Sequence, residues 1–171
     1  PNHLTGRFPN RGNPNRISAQ AYSFTVPAAP TVAGKVTPLG MNPFGVAING
    51  VVFDPGAAEW WNRDRSSGWQ YEPMSDAVNM GEDMNNAHVQ PDGAYHYHGI
   101  PTGLLSLLTG DKPKMVLIGW AADGFPIYGP WGTSRANNAE SELAKVKSSY
   151  QLKKGIRPSG PGGRYDGTFV E

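Results

Sequence analysis

Three of the four Asn-Gly and Asp-Gly pairs in this 171-residue chain constrain its fold more than any other feature. The pairs are Asn49-Gly50, Asp92-Gly93 and Asp123-Gly124, and each stands between short runs that contain β-branched or aromatic residues. Such pairs occupy the tight turns that join neighbouring antiparallel strands, because Gly, Asn and Asp tolerate the positive φ that these turns require. The chain is therefore expected to fold as β-hairpins.

Two of these pairs belong to a repeated pattern. The segments GVAINGVVFDPG from Gly45 and GWAADGFPIYGP from Gly119 share Gly, Ala, Asn or Asp, and Gly at matching positions, followed by apolar residues at alternate positions. Each segment predicts a strand, a two-residue type I′ turn and a second strand. The apolar run MVLIGW, which leads into the second copy, is typical of a buried strand. The repeat predicts a pseudo-symmetric β core.

Helices are expected to be few and short, because the chain contains 22 glycines and 16 prolines. Three segments favour a helix: IPTGLLSLLTG, with Thr102 as N-cap and Gly110 as its end, the polar ANNAESELAKVKSS, and one turn in PGAAEWWNRD. The length suits one domain. We expect a single mainly β domain over residues 1–171, in which antiparallel hairpins form a sandwich or barrel-like core with a few short helices.

The first 40 residues are expected to form an extended arm packed on this core. Up to residue 53 the chain has four cationic side chains and no carboxylate, whereas residues 54–98 contain eight carboxylates. The arm is rich in turn residues, and its alternation of Tyr22, Phe24 and Val26 predicts one short strand. The charge segregation predicts that the arm lies against the acidic middle of the chain.

Composition excludes several classes of function. A net charge of +1 without a cluster of Lys and Arg predicts no binding to nucleic acid, and no apolar run is long enough for insertion into a membrane. The absence of cysteine excludes disulfides and thiolate metal sites. The chain begins at Pro1 and not at Met, which favours a processed, secreted or periplasmic product.

Three of the four histidines lie close together in the segment NNAHVQPDGAYHYHG. Its Pro-Asp-Gly sequence predicts a type I turn closed by a glycine bulge between two antiparallel strands. Counting back from this turn pairs His88 with His96 and Asn86 with His98. Because side chains alternate between the faces of a strand, His96 and His98 share one face, and His88 stands across from His96 on that face. Three imidazoles are predicted to converge.

A convergence of three imidazoles is a metal-binding arrangement that leaves a coordination position for water or substrate. Copper is the first expectation and zinc the second, because imidazole suits both metals and copper heads the divalent affinity series. Polar side chains that could orient the imidazoles or add a ligand are found in the same hairpin and in the two repeated hairpins. They are Asn86, Gln90 and Asp92, and Asp54 and Asp123.

Alternative interpretations accompany this site. Histidines at alternate positions of a strand can instead be half-buried residues whose rings bond to backbone carbonyls and bind no metal. Tyr95 and Tyr97, on the opposite face, are expected to be core aromatics, and Met80 and Met84 to be core filler in preference to copper(I) ligands. His3 offers a separate site, because a free amino terminus, two backbone amides and a histidine at position 3 bind copper(II) in a square plane.

The string AYHYHG, set in NNAHVQPDGAYHYHGIPTGLL and followed by AADGFPIYGP, resembles the YHYH domain family of mostly secreted or periplasmic proteins. The resemblance extends from PNHLTGRFPN to YDGTF, nearly the whole chain. It implies a domain with a metal site, carried here onto His88, His96 and His98, and it supplies no reaction. Members of the family tend to continue past YDGTF, so the resemblance implies either that the polypeptide is cut or trimmed after Glu171 or that this copy is shortened. A missing stretch could include a strand of the core or a metal ligand.

Three functions follow from these observations. The first is a secreted or periplasmic protein that binds copper for storage, delivery or redox service. The second is a metal-dependent enzyme, in which zinc activates water for hydrolysis or copper activates oxygen. The third is a non-catalytic surface or carbohydrate-binding module that uses its tryptophans, of which the candidates are Trp60, Trp61, Trp69 and Trp131.

Overall fold

The computed structural model describes residues 2–171, in which short strands predominate. The strands are β1 (Gly45–Ala47), β2 (Val52–Phe53), β3 (Gln70–Tyr71), β4 (Ala87–Val89), β5 (Tyr95–Tyr97), β6 (Leu117–Ala121), β7 (Pro126–Tyr128), β8 (Trp131–Thr133), β9 (Leu143–Lys145) and β10 (Phe169–Val170). The α-helix α1 spans Thr102–Thr109, and 3-10 turns cover Trp61–Arg63, Arg65–Ser67 and Pro73–Ser75. The mainly β class predicted from the turn signatures is confirmed.

Six strands form one sheet in the order β4-β5-β2-β1-β6-β7. The predicted hairpins β1–β2, β4–β5 and β6–β7 are all present and antiparallel. They are joined by an antiparallel pairing of β1 with β6 and by a parallel pairing of β2 with β5. The parallel pairing was not predicted, because a turn signature specifies only the two strands that it connects. Two ribbons, β3–β10 and β8–β9, stand beside this sheet.

The three hairpin turns have the same backbone structure. In each, the amide of the glycine donates to the carbonyl three residues earlier, at 2.8–2.9 Å, and only the glycine has positive φ: 82° at Gly50, 88° at Gly93 and 90° at Gly124. The prediction of type I′ turns was therefore wrong for Asn49 and Asp123, whose φ values are not positive. The side chains of these two residues accept hydrogen bonds from the amide two positions later, which stabilises the type I turn with a glycine bulge.

The core lies on the tyrosine face of the sheet. Tyr95 and Tyr97 pack with Phe53, Val89 and Leu104 in one apolar cluster. The predicted burial of both tyrosines is confirmed, with exposed fractions of 6% and 1%. Since neighbouring residues of a strand point to opposite faces, this core leaves the histidine face of β4 and β5 for another use.

The helix α1 ends as predicted but begins with a different cap. Gly110 follows it in the left-handed conformation, with φ 61°. Thr102 is the first helical residue and not the N-cap, and its hydroxyl donates to the Met84 carbonyl. The fully buried side chain of Asn85 takes the capping role instead, because it accepts a hydrogen bond from the Gly103 amide at 2.9 Å. At eight residues α1 is far too short to cross a bilayer, and no other helix of the described chain is longer.

The other two helix predictions had different outcomes. The turn predicted in PGAAEWWNRD is present as the 3-10 turn Trp61–Arg63. The predicted helix in ANNAESELAKVKSS is wrong, because residues 143–145 within it form β9, which pairs with β8. Asn138 starts a turn, and its side chain accepts a hydrogen bond from the Glu140 amide. This local hydrogen bond competes with helix formation.

Between residues 2 and 40 the described chain contains no helix or strand, so the strand predicted at Tyr22, Phe24 and Val26 is absent. The arm nevertheless touches both outer hairpins of the sheet. The Ser18 amide donates to the Gly93 carbonyl at 3.0 Å, and the Pro27 carbonyl lies so close to Gly124 that a Cβ there would be 2.2 Å from it.

Amide hydrogen bonds hold the arm against residues 83–93, which belong to the acidic middle of the chain. Asn13 and Asn15 both donate to the Val89 carbonyl, at 2.9 and 2.7 Å, and the Gly6 amide donates to Asp83 at 2.8 Å. Among residues 2–171 the ion pairs are Lys153–Glu171 and Arg157–Asp166, neither of which involves the arm.

Candidate metal centre

The β4–β5 hairpin brings His88, His96 and His98 together on one face of the sheet. The predicted register is confirmed: His88 pairs with His96, and the His98 amide donates to the Asn86 carbonyl at 2.8 Å. On its other side His96 neighbours Val52 of β2. His96 is fully buried, whereas His88 and His98 are half-buried. The shortest route from solvent to the three imidazoles is therefore past His88 and His98.

The ring nitrogens of these histidines converge within chelating distance. His98 Nε2 lies 3.0 Å from His96 Nε2 and 3.0 Å from His88 Nε2, and one ligand atom from each of the three residues lies within 4.8 Å of the others. Zinc binds imidazole nitrogen at about 2.0–2.1 Å, so two nitrogens on one ion are separated by roughly 3 Å. The cluster fits a single ion of that size.

Backbone carbonyls orient two of the rings. His88 Nδ1 lies 2.8 Å from the Met80 carbonyl, and His96 Nδ1 lies 3.2 Å from the Ala94 carbonyl. A carbonyl only accepts hydrogen bonds, so each Nδ1 carries the proton when the ring is neutral and each Nε2 presents a lone pair. This is the arrangement that orients a metal-binding imidazole.

The three Nε2 atoms cannot satisfy one another by hydrogen bonding. The Nε2 atoms of His88 and His96 both act as acceptors, so only His98 Nε2 could supply an N–H between them. One N–H cannot donate fully to two acceptors. His98 Nδ1 is itself buried without a full hydrogen bond, and only a weak interaction with the Pro55 carbonyl acts on this ring. A cation at the centre would satisfy the lone pairs that the chain leaves facing one another.

Burial keeps two of the imidazoles neutral. It lowers the pKa of His96 to about 4, and the nearby His88 acts in the same direction. Burial also lowers the pKa of His98 to about 3, helped by both neighbouring histidines. A neutral imidazole is the form that binds metal, so these two imidazoles stay in a metal-binding form well below neutral pH.

A cavity of about 350 Å³ opens onto His88 and His98. Its charged lining residues are the carboxylates Asp54 and Glu59, and the described chain contributes no Lys or Arg to it. Burial raises the pKa of Asp54, while hydrogen bonds to Gly56 and Gln90 and the nearby His88 act against it. The cavity therefore presents negative charge and oxygen donors beside the imidazoles.

Glu82 adds a further carboxylate near this cluster that the sequence did not indicate. Its Oε1 atom is buried without a hydrogen-bond partner. Burial raises the pKa of Glu82, and His88 lowers it. No local motif links Glu82 to the histidines, because they come together only when residues 80–82 fold back over β4.

The other polar residues predicted around the site are dispersed. Gln90 and Asp54 line the cavity, as expected for neighbours of the cluster. Asn86 instead donates to the Ile100 carbonyl, and Asp92 and Asp123 accept amides within their own turns. Asp123 also belongs to the β6–β7 hairpin at the far edge of the sheet.

His3 lies on the tyrosine face and not with the cluster. Its Nε2 atom is 2.5 Å from the Tyr97 hydroxyl, and its ring packs against Tyr95 and Tyr97. The square-planar site proposed for the amino terminus includes Pro1, which lies outside the described residues. That site stays a prediction.

The methionines and tryptophans divide between core and surface. Met80 is buried, as predicted for core filler, but Met84 is 58% exposed, which that prediction did not anticipate. Of the candidate tryptophans, Trp69 is buried, and Trp60, Trp61 and Trp131 are half-buried.

The fold and the site together define a small, mainly β protein with a three-histidine cluster built on a hairpin. The chain belongs to the YHYH protein family, whose model matches residues 23–171, so the resemblance seen in the motifs is confirmed. Neither a curated protein nor a solved structure shows a significant match to the chain.

Proposed function

We propose that this protein binds a metal ion, most readily copper, through His88, His96 and His98, and serves in its binding, delivery or redox use. The observation that carries the proposal is the convergence of three Nε2 atoms with two of the rings held by Nδ1 contacts to carbonyls. An all-imidazole donor set suits copper and zinc, and copper stands higher in the affinity series.

The surroundings support a soft or borderline metal. Met41 is among the residues that line the same cavity as His88. Thioethers are soft ligands that favour copper(I), whereas carboxylates such as Asp54 attract the divalent ion by charge. The family resemblance implies mostly secreted or periplasmic proteins, and we propose that setting for this chain.

A metal titration tests this function. Copper(II) and zinc(II) are added to the wild type and to His96→Ala in the presence of a competing chelator, and elemental analysis of protein from its native compartment identifies the metal. We expect one ion per chain and a loss of affinity of at least about 100-fold in His96→Ala, since losing even a residue behind a ligand costs 10–100-fold. His88→Ala, at a half-buried position, repeats the test if His96→Ala folds poorly.

His3→Ala is the matched control, because His3 lies on the other face of the sheet. Equal affinity of the wild type and His96→Ala would refute the three-histidine site. A loss confined to His3→Ala would assign copper binding to the amino terminus.

The cavity also favours a second candidate, a metal-dependent enzyme. A metal at the histidines would supply Lewis acidity to a substrate in the cavity. Asp54 lines this cavity beside His88 and His98 and is placed to accept a proton there. Turnover of ester or amide substrates by the zinc-loaded wild type, lost in Asp54→Asn with metal affinity retained, would support hydrolysis over storage.

A further inference from the structure

A cavity separate from the histidines lies between α1, the loop of residues 111–114 and the β8–β9 ribbon. Its volume is about 500 Å³, within the range of about 300–1,000 Å³ that small-molecule sites occupy. None of the three clustered histidines lines it. The chain just before the ribbon approaches the helix closely at Gly129, where a Cβ would lie 2.8 Å from Leu105 Cδ2.

An aromatic ring and a cation stand side by side in this cavity. Trp131 and Lys145 are directly paired across β8 and β9, so their side chains share one face of the ribbon. Both line the cavity, the indole half-buried and the lysine exposed. The indole therefore presents a flat apolar surface with an ammonium group next to it.

The charge of the cavity is positive. Lys112 and Lys114 line it together with Lys145, against the single carboxylate of Asp111. Within residues 2–171 none of these three lysines forms an ion pair. The loop and the ribbon thus direct cations at one space, which favours an anionic ligand.

One face of α1 supplies hydroxyl groups to the same space. Thr102, Ser106 and Thr109 are spaced four and three residues apart, so they lie along one side of the helix, and all three line the cavity. The Thr102 and Thr109 hydroxyls donate to backbone carbonyls and so offer their oxygen atoms as acceptors. A ligand with several hydroxyl groups would find partners here.

We propose that this cavity binds an acidic saccharide. The flat face of a pyranose ring packs on the indole of Trp131, its carboxylate pairs with Lys145 and the loop lysines, and its hydroxyl groups donate to the row on α1. Each of these three features selects one part of a uronic acid unit: the ring, the charge and the hydroxyls. The proposal does not depend on the metal site.

Binding of trigalacturonic acid, measured by isothermal titration calorimetry, tests the proposal. The wild type is expected to bind it with an affinity that falls as salt is added, and to bind the neutral methyl ester at least about tenfold more weakly, because charge-assisted hydrogen bonds are lost. Lys145→Gln should weaken binding of the acid by about tenfold. Trp131→Ala should abolish binding.

Two control variants separate binding in this cavity from binding elsewhere on the chain. Lys35→Gln removes an exposed charge from the arm, and His96→Ala removes the metal site; neither should change saccharide binding. Lys145→Gln keeps the test valid if Trp131→Ala does not fold, since Lys145 is exposed. No binding by the wild type, equal binding of the acid and the ester, full binding by Lys145→Gln, or tighter binding of AMP than of trigalacturonic acid would overturn the proposal.

Discussion

His3 and His96 show how the surroundings of a residue decide its use. His3 packs between tyrosine rings, with its Nε2 against the Tyr97 hydroxyl, and it takes part in the core face. His96 is buried among other imidazoles, and its Nε2 lies 3.0 Å from His98 Nε2 with no carbonyl or carboxylate between them. The same imidazole group therefore makes a structural contact at His3 and belongs to the proposed metal-binding cluster at His96.

The lowered pKa values of His96 and His98 predict that the metal-free protein loses stability in acid. In the unfolded chain both imidazoles bind protons near pH 6.5, whereas in the folded chain they do so only near about 4 and 3. As the pH falls from 6.5 towards 4 the unfolded state binds more protons, so the free energy of unfolding falls by about 1.4 kcal/mol per pH unit for each histidine. Urea unfolding at pH 7, 6 and 5 measures the slope.

The variant His98→Asn is the control for this slope. It removes one of the two titrating imidazoles but leaves Asp54 and Glu82, whose raised pKa values act in the opposite direction. If the slope in His98→Asn were as steep as that of the wild type, His98 would not be one of the groups that cause the loss of stability in acid. Saturating metal should raise the stability of the wild type without flattening its slope, because bound imidazoles take up no protons while those of the unfolded chain still do.

The Tyr97 hydroxyl predicts a separation of stability from metal binding. It accepts from Asn49 Nδ2 at 2.9 Å and pairs with His3, and Tyr97 is buried. Tyr97→Phe leaves these partners short of a hydrogen bond, so we expect a loss of about 1–3 kcal/mol in unfolding free energy. Metal affinity should not change, since the hydroxyl lies on the opposite face from the cluster. Tyr128→Phe, at an exposed position, should alter neither quantity.

At the scale of elements, the three hairpins have the same type of turn, but they differ in whether the arm packs against it. Gly50 has open space where a Cβ would be, whereas a Cβ at Gly93 would lie 2.0 Å from Ser18 Oγ. Both glycines have positive φ, at 82° and 88°. The local backbone requirement is therefore equal, and only the tertiary contact differs.

This matched pair predicts unequal costs of the same substitution. Gly50→Ala should lower the free energy of unfolding by about 1–2 kcal/mol through backbone strain alone. Gly93→Ala should cost about 1–3 kcal/mol more, because Ser18 and the arm must move. Denaturant unfolding measures both, and limited proteolysis should cut the arm faster in Gly93→Ala. Equal costs would mean that the arm contributes nothing at this turn.

At the scale of the whole molecule, Arg157 ties the last segment of the chain to the β3–β10 ribbon. Its side chain is 4% exposed, and its guanidinium lies 5.2–6.0 Å from the ring centres of Trp69, Tyr165 and Phe169. It donates to the Gly162 carbonyl at 2.6 Å and pairs with Asp166. A planar cation that stacks and donates at the same time is a role suited to arginine.

Arg157→Lys is therefore expected to destabilise the protein even though it keeps the charge. An ammonium group cannot reproduce the stacking and the paired donors, so we expect a loss of about 2–3 kcal/mol, within the range typical of buried polar networks. Thermal unfolding should shift down by about 2–4 °C for each kcal/mol. Lys153→Gln, in the exposed pair with Glu171, should leave the midpoint unchanged; equal shifts in the two variants would refute this role for Arg157.

Local chemistry in the sequence by itself determined the hairpins, the histidine face and the end of α1. The alternation of side chains places His96 and His98 together, and Pro-Asp-Gly sets their register against His88, all within eleven residues. Turns and strand alternation depend on neighbours a few positions apart, so the sequence alone predicts them.

Only the tertiary structure decided the features that join distant segments. The parallel pairing of β2 with β5 and the capping of α1 by Asn85 each involve a contact that no local pattern specifies. Residues 143–145 became a strand and not a helix because β8 offered hydrogen bonds that outweighed a weak helical preference. Contacts of this kind depend on how the hairpins pack, and that is a property of the whole chain.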